Sequence, residues 1–113
     1  MHEMALAVSL VDLIEEQART SRLAQVTRVW LTIGAHAAVD ESALAFGFEV
    51  ARRGTVAEDA ELCFEHTAAR AYCVECSDTV EVAVRGAGCP VCGGFQLLMV
   101  AGEELRLTAL EGD

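Results

Sequence analysis

The sequence predicts an α+β fold in which two helices pack on a small mixed or antiparallel sheet, with an inserted cysteine-bearing module. Two segments carry apolar residues at helical spacing, several shorter segments alternate apolar with polar residues, and two CxxC pairs fall among the shorter segments. The chain has 113 residues, of which 53% are hydrophobic, and a single proline. This size and composition indicate one compact folded domain with room for a small satellite module.

Helical spacing is clearest from Glu3 to Arg19. One side of this segment is apolar and the opposite side is mostly acidic, which predicts an amphipathic helix lying on a core. The apolar stripe consists of Met4, Ala7, Val8, Val11, Ile14 and Ala18, broadened by Leu10. A second helix is predicted within residues 40–54, with Asp40 or Ser42 as the amino-terminal cap and Gly54 as the stop. Its core-facing residues are expected to be Leu44, Phe48 and Ala51, flanked by Phe46 and Val50.

The remaining regular segments have the two-residue period of strands. Residues 26–34 are rich in β-branched and aromatic side chains and predict a strand. Residues 60–73 alternate in the same way, which would place His66 on the apolar side. Residues 95–110 predict two short strands around Ala101 and Gly102, and we expect both to rejoin the sheet.

The charge of the chain is strongly acidic. Eight basic residues, all arginine, stand against 18 acidic ones, giving a net charge of −10. Nucleic-acid binding needs a basic patch, and none is visible. The amino-terminal segment lacks the features of a secretory signal, and no apolar run approaches the roughly 20 residues that span a bilayer. We therefore expect a cytoplasmic protein with reduced cysteines and with neither a nucleic-acid nor a membrane partner.

Two CxxC pairs separated by twelve residues are the strongest chemical signal. Four thiolates make a closed tetrahedral zinc site, and a two-residue spacing lets a tight turn direct both sulfurs at one ion. The four cysteines are Cys73, Cys76, Cys89 and Cys92. Two disulfides, a redox CxxC and an iron–sulfur cluster are the alternatives, and structural zinc is favoured over them. A catalytic zinc is disfavoured because four protein ligands leave no open position.

The segment between the pairs can form a strand, so the module is expected to be a zinc-ribbon-like hairpin. We expect it to cover residues 71–100, inserted into a domain made of residues 1–70 plus about 101–113. Outside the module, Cys63 is interpreted as an incidental thiol and His36 as a solvated loop residue. His66 is interpreted as a partly buried structural histidine.

The second position of the chain holds a histidine, at the start of the first predicted helix. A terminal amine, the backbone nitrogens and the imidazole of His2 can chelate one metal, and nitrogen-rich planar sites suit Ni(II) or Cu(II). The first N–H groups of a helix have no intrahelical partner, so such a metal costs the helix no hydrogen bond. Taken alone, these residues still favour a merely solvated His2.

The ordered combination of motifs strongly resembles the HypA/HybF family of hydrogenase-maturation nickel metallochaperones. It comprises MHE at the start, VTRVWLTIG, SALAFGFEVARRGTVAE, and the two CxxC pairs ending in CPVCGG, and it covers essentially the whole chain. The resemblance implies a non-enzymatic protein with an α+β nickel domain and a zinc-ribbon domain. It implies nickel at Met1, His2 and Glu3 and zinc at the four cysteines.

The partners that the resemblance implies are a HypB-type GTPase and the precursor of the [NiFe]-hydrogenase large subunit, with urease maturation factors in some organisms. Some relatives carry histidines beside their CxxC pairs, linked to sensing of pH or nickel, and this sequence has none there. The alternative function is a zinc-ribbon module that binds nucleic acid or a transcription complex. A zinc or thiol enzyme has no support, since no acid–base constellation or nucleophile motif is present.

Overall fold

The computed structural model describes residues 2–113, which form two helices and six strands. Their bounds are α1 His2–Thr20, β1 Val26–Gly34, α2 Glu41–Ala51, β2 Glu61–Thr67, β3 Arg70–Cys73, β4 Asp78–Glu81, β5 Leu97–Ala101 and β6 Leu105–Gly112. The α+β class with two helices and small sheets is therefore confirmed. Neither helix in this part of the chain is long and apolar enough to cross a membrane.

The chain divides into two compact units. The first contains the described residues up to Leu31 together with Val39–Cys63 and Leu107–Asp113. The second contains Thr32–Ala38 and Phe64–Arg106, and so includes all four cysteines of the CxxC pairs. The domain boundaries expected near residues 70 and 101 stay a prediction.

In the first unit, the apolar stripe of α1 lies on the core. Its buried residues are Ala7, Leu10, Val11, Ile14 and Ala18. Val8 was expected on this stripe but is 45% exposed, since it lies on the edge of the stripe opposite the buried Leu10. The helix begins one residue before the predicted start and ends one residue after the predicted end.

Helix α2 packs closely on the first turns of α1. Gly47 permits this approach, since a Cβ atom at Gly47 would lie 3.0 Å from the Ala7 Cβ and 3.3 Å from the Met4 Sδ. The cost of a glycine inside a helix is therefore offset by close helix packing. Phe46, expected beside the core, is instead 67% exposed.

Asp40, rather than Ser42, caps the amino-terminal end of α2. Its carboxylate accepts a hydrogen bond from the Ala43 N–H at 3.1 Å, satisfying one of the donors that the first turn leaves open. The helix ends at Ala51, and the chain passes through turns to Gly54, which has a φ of 75°.

Two three-stranded sheets form instead of one. The first has the order β2-β1-β6 and the second β4-β3-β5. The expectation that both strands around Ala101 and Gly102 rejoin one sheet is therefore wrong for β5, which pairs antiparallel with β3 and places Leu97 opposite Cys73.

The physical reason is a break in the predicted strand 60–73, which separates β2 from β3 at residues 68–69. Gly102 lies against this break with a φ of 110°, and a Cβ there would come within 2.6 Å of the Ala69 Cβ. Only glycine fits at this position.

The loop between β5 and β6 is held by Glu104. Its carboxylate accepts hydrogen bonds from the Thr67 hydroxyl and from the Gly102 N–H, the latter at 2.8 Å. These hydrogen bonds hold the pKa of Glu104 below its ordinary value of 4.5, and the bond from Thr67 has the largest effect. A carboxyl group with a lowered folded-state pKa stabilises the fold above its unfolded pKa, and this stability is lost as the pH falls through the folded value.

We therefore expect Glu104→Gln to lower the melting temperature at pH 7, and the difference from the parent protein to shrink as the pH falls below 4.5. Thermal unfolding followed by circular dichroism between pH 7 and pH 3 measures this. Glu103→Gln is the matched control, because the Glu103 carboxylate forms an exposed pair with Arg85, and such a pair contributes little to stability. A Glu104 effect that is absent at pH 7, or equally large at both ends of the range, would contradict this role.

Candidate metal centres

The four cysteines of the CxxC pairs converge in the second unit. Cys73 ends β3, Cys76 lies in the turn before β4, and Cys89 and Cys92 lie in the loop before β5. Cys73 and Cys89 are buried, Cys76 is half-buried and Cys92 is exposed. The four sulfur atoms all lie within 4.8 Å of one another.

The sulfur–sulfur distances match a single tetrahedral ion. The Cys73 and Cys92 sulfurs are 3.7 Å apart, and those of Cys76 and Cys89 are 3.9 Å apart. Tetrahedral zinc with zinc–sulfur bonds of about 2.3 Å separates its sulfurs by about 3.8 Å. A disulfide bond is about 2.05 Å long, and neither of these two pairs approaches that length; all four cysteines are free thiols in the structure.

Backbone turns direct each pair of sulfurs. The Cys76 N–H lies 3.4 Å from the Cys73 sulfur, and the Val91 N–H lies 3.4 Å from that of Cys89. In the second turn the Cys89 N–H also donates to the Gly94 carbonyl at 2.7 Å. Gly93 has a φ of 75°, which is the conformation that the glycines after Cys92 were expected to supply.

The surroundings of Cys76 and Cys89 shift the pKa values of these two thiols in opposite directions. Hydrogen bonds with the thiols of Cys92 and Cys73 raise the pKa of Cys76 to about 12. Backbone N–H groups of Cys92 and Val91 lower the pKa of Cys89 to about 7. Cys89 is thus ionised more easily than Cys76, and a bound cation must displace the proton of Cys76.

A carboxylate that the sequence reasoning missed lies beside this cluster. The Glu75 Oε2 is 3.5 Å from the Cys92 sulfur. Its position inside the first CxxC pair is visible in the sequence, but its approach to a cysteine of the other pair depends on the fold.

The predicted nickel residues lie at the start of α1, in the first unit. The His2 side chain is 66% exposed and its Nδ1 is 3.9 Å from the Glu3 Oε2. The Glu3 carboxylate also accepts a hydrogen bond from the Asp40 N–H at 3.3 Å. Met1, the third predicted residue, lies outside the described residues.

The remaining candidates differ from expectation in two cases. Cys63 is half-buried with its thiol 3.5 Å from the Glu61 carboxylate, and it takes no part in the four-cysteine cluster. His66, expected to be partly buried, is exposed. His36, expected to be solvated, is only 7% exposed. The turn after β1 folds back so that the His36 N–H donates to the Gly102 carbonyl and the His36 carbonyl accepts from the Arg85 guanidinium.

Comparison with known proteins identifies the family. A family model described as "Hydrogenase/urease nickel incorporation, metallochaperone, hypA" matches residues 1–112. The chain belongs to the HypA family. It is 47% identical over 111 residues to the hydrogenase maturation factor HypA of Aeromonas salmonicida, covering 98% of each chain. It is 43% identical over 113 residues to the hydrogenase maturation factor HybF of Klebsiella pneumoniae, covering 100% of each.

Solved HypA structures share the fold. The solution structure of the Ni metallochaperone HypA from Helicobacter pylori matches with a TM-score of 0.73 at 28% identity, covering 97% of this chain and 96% of that one. The HypA family is a metallochaperone family and not an enzyme family. The resemblance first drawn from the motifs is thereby confirmed.

If the four cysteines hold one zinc ion, as their geometry predicts, altering one of them should weaken zinc binding. In the purified zinc-loaded chain, we expect Cys76→Ser to lower zinc affinity about a hundredfold or more, since about 10–16 kcal/mol of binding free energy is shared among four thiolates. Competition with a chromophoric chelator measures the affinity. Cys63→Ser is the matched control and should keep one zinc per chain. Equal zinc affinity in the two variants would contradict a four-thiolate site.

Proposed function

We propose that this chain carries Ni(II) at its amino terminus and delivers it to the large subunit of [NiFe]-hydrogenase during maturation. The nickel ligands proposed are drawn from Met1, His2 and Glu3. Membership of a nickel metallochaperone family supports the cargo. The observation that carries the site is an exposed imidazole at the first residue of a helix, next to a carboxylate.

The chemistry of a helix start suits this cargo. The N–H groups of the first turn have no intrahelical acceptor, so nickel can replace the protons of the His2 and Glu3 amides without breaking the helix. The positive end of the helix dipole opposes a cation, and ionised amides together with the Glu3 carboxylate offset that repulsion. Nitrogen-rich planar coordination is typical of Ni(II) and Cu(II).

Packing in the first unit holds this turn in place. Met4 and Ala7 lie against the glycine face of α2 at Gly47, and the Glu3 carboxylate bonds to the Asp40 N–H. Chain ends usually fray unless they are tied down. These contacts keep the start of α1 ordered while the His2 side chain stays exposed, so that a partner can reach the metal and exchange ligands.

The second metal proposed is a structural zinc held by Cys73, Cys76, Cys89 and Cys92. The thiol distances and the all-sulfur donor set fit zinc, which would fix the turns of the module and stay in place while nickel is handed on. We assign residues 71–100 to the zinc module and residues 1–70 with about 101–113 to the nickel domain. We propose a cytoplasmic location, since thiols stay reduced in that compartment.

The partners proposed are a HypB-type GTPase and the hydrogenase large-subunit precursor, with urease maturation as a second destination. The name of the family model couples hydrogenase with urease, which supports both destinations. An acidic chain of net charge −10 favours basic partner surfaces and disfavours nucleic acid.

His2→Ala is expected to weaken nickel binding by more than about 100-fold, because even the loss of a residue that only orients a metal ligand costs about 10–100-fold. Isothermal titration of the untagged, zinc-loaded chain with Ni(II) measures the affinity. Zinc content and melting temperature should be unchanged, since the side chain is exposed. The matched control is His66→Ala, which removes another exposed imidazole.

A second variant tests the role of the terminal amine. One glycine added before Met1 leaves every side chain in place but moves the amine, so nickel affinity should fall nearly as far as in His2→Ala. Undiminished affinity in both variants would overturn the proposed site.

A further inference from the structure

The four thiols of the proposed zinc site differ in exposure, and Cys92 is the outermost. Cys73 and Cys89 are buried and Cys76 is half-buried, whereas Cys92 is exposed. Its sulfur receives the Gly94 N–H at 3.4 Å, within a loop rather than a strand. Of the four bonds that a metal would make here, the bond to Cys92 is therefore the one that solvent and thiol reagents reach most directly.

The Glu75 carboxylate lies next to this outermost sulfur. Its Oε2 is 3.5 Å from the Cys92 Sγ, although 17 positions separate the two residues along the chain. A tetrahedral zinc with a sulfur at about 2.3 Å and an oxygen at about 2.0–2.2 Å holds those two atoms about 3.5–3.7 Å apart. The carboxylate is not one of the four donors of the cluster, but its distance from Cys92 is that of two ligands of one ion.

Gly94 leaves the space that this carboxylate occupies. A Cβ atom at Gly94 would lie 2.6 Å from the Glu75 Oε2 and 3.0 Å from its Cδ. Unbonded heavy atoms pack best at about 3.5–4.0 Å, so a side chain at this position would push the carboxylate away. The bare backbone of Gly94 thus lets the Glu75 carboxylate rest against the loop that carries Cys92.

The chemistry of the two groups permits one to replace the other. Carboxylate oxygen is an ordinary zinc ligand, as thiolate sulfur is. Each group carries one negative charge when it binds, so the exchange leaves the net charge of a four-ligand site unchanged. Sulfur is the softer donor and suits zinc better in a thiolate-rich site, so the carboxylate takes over only when the Cys92 sulfur has left.

We infer that Glu75 is a reserve ligand of the zinc site, whose Oε2 takes the place of the Cys92 sulfur when that sulfur leaves the metal. The exchange breaks one zinc–sulfur bond, forms one zinc–oxygen bond, and leaves the other three thiolates in place. The module thereby keeps its metal while its outermost thiol reacts with a reagent. This inference rests on the zinc site proposed above.

Zinc affinities in a matched set of full-length variants test the inference. We expect Cys92→Ala to keep zinc with reduced affinity. Adding Glu75→Gln to Cys92→Ala should lower that affinity a further tenfold or more, since even groups that only orient a metal ligand contribute about 10–100-fold. Gly94→Ala displaces the carboxylate without altering it, and should have a similar effect in the same background. Competition with a chromophoric chelator measures each affinity.

Two controls show whether the effect belongs to the Cys92 position. Glu81→Gln removes another exposed carboxylate of the module and should change nothing, because Glu81 lies opposite Arg70, at the other end of β3 from the cysteines. In a Cys73→Ala background, Glu75→Gln should also have no effect, because the printed contact of the carboxylate is with Cys92.

Alkylation supplies a second test that needs no substitution of a zinc ligand, and it decides the matter if Cys92→Ala does not fold. The zinc-loaded Cys63→Ser chain is treated with N-ethylmaleimide, and mass spectrometry locates the adducts and counts the zinc. We expect the first adduct at Cys92, with zinc retained. Adding Glu75→Gln should cause the chains modified at Cys92 to lose their zinc.

Three results would overturn the inference. They are equal zinc affinity of Cys92→Ala with and without Glu75→Gln, an equal effect of Glu75→Gln in the Cys73→Ala background, and loss of zinc on alkylation of Cys92 while Glu75 is present. Failure of the zinc site itself would look different, because neither Cys73→Ala nor Cys92→Ala would then weaken zinc binding, and both proposals would fall.

Discussion

The convergence of four sulfur atoms to within 4.8 Å sets the path of the chain from β3 to β5. Two tight turns, separated by twelve residues, must present their cysteines to one point. The hairpin β3–β4 and the glycine-rich loop before β5 satisfy that requirement. With Cys73 at the end of β3 and Cys92 shortly before β5, the cluster brings these two strands close together, and the break at residues 68–69 leaves β3 free to pair with β5 in the second sheet. A module of this size has little core of its own, so the ion that joins the four thiols would supply much of its stability.

The two metals proposed for this chain have opposite requirements, and the two sites differ accordingly. A retained ion is held best by a closed set of four thiolates, two of which come from the buried residues Cys73 and Cys89. A transferable ion needs an open site that a partner can reach. The first turn of α1 offers this, because its amides are free of intrahelical acceptors and the His2 side chain is exposed. The packing at Gly47 and the bond from the Asp40 N–H to Glu3 keep that open site ordered.

Local patterns predicted most of the elements. The helix α1, the strand β1 and the cap Asp40 each follow from residues within a few positions of one another, and the structure places them as expected. The CxxC spacing likewise predicted the cysteine cluster. The features that were predicted wrongly or not predicted at all depend on contacts between residues distant along the chain. Three such contacts join residues far apart in sequence. They are the pairing of β5 with β3, the hydrogen bond from Arg85 to the carbonyl of the buried His36, and the hydrogen bond from the Asp40 N–H to Glu3. The exposure of Phe46 follows from the same limit, since helical spacing does not show how wide the covered face is.

We propose that nickel and zinc occupy chemically distinct sites in one chain. X-ray absorption at the nickel edge, on the zinc-loaded protein with one equivalent of Ni(II), tests it most directly. We expect nickel to have nitrogen and oxygen ligands only, and the zinc edge of the same sample to show four sulfurs. Cysteine sulfur in the first coordination shell of nickel, or displacement of zinc by the added nickel, would contradict it.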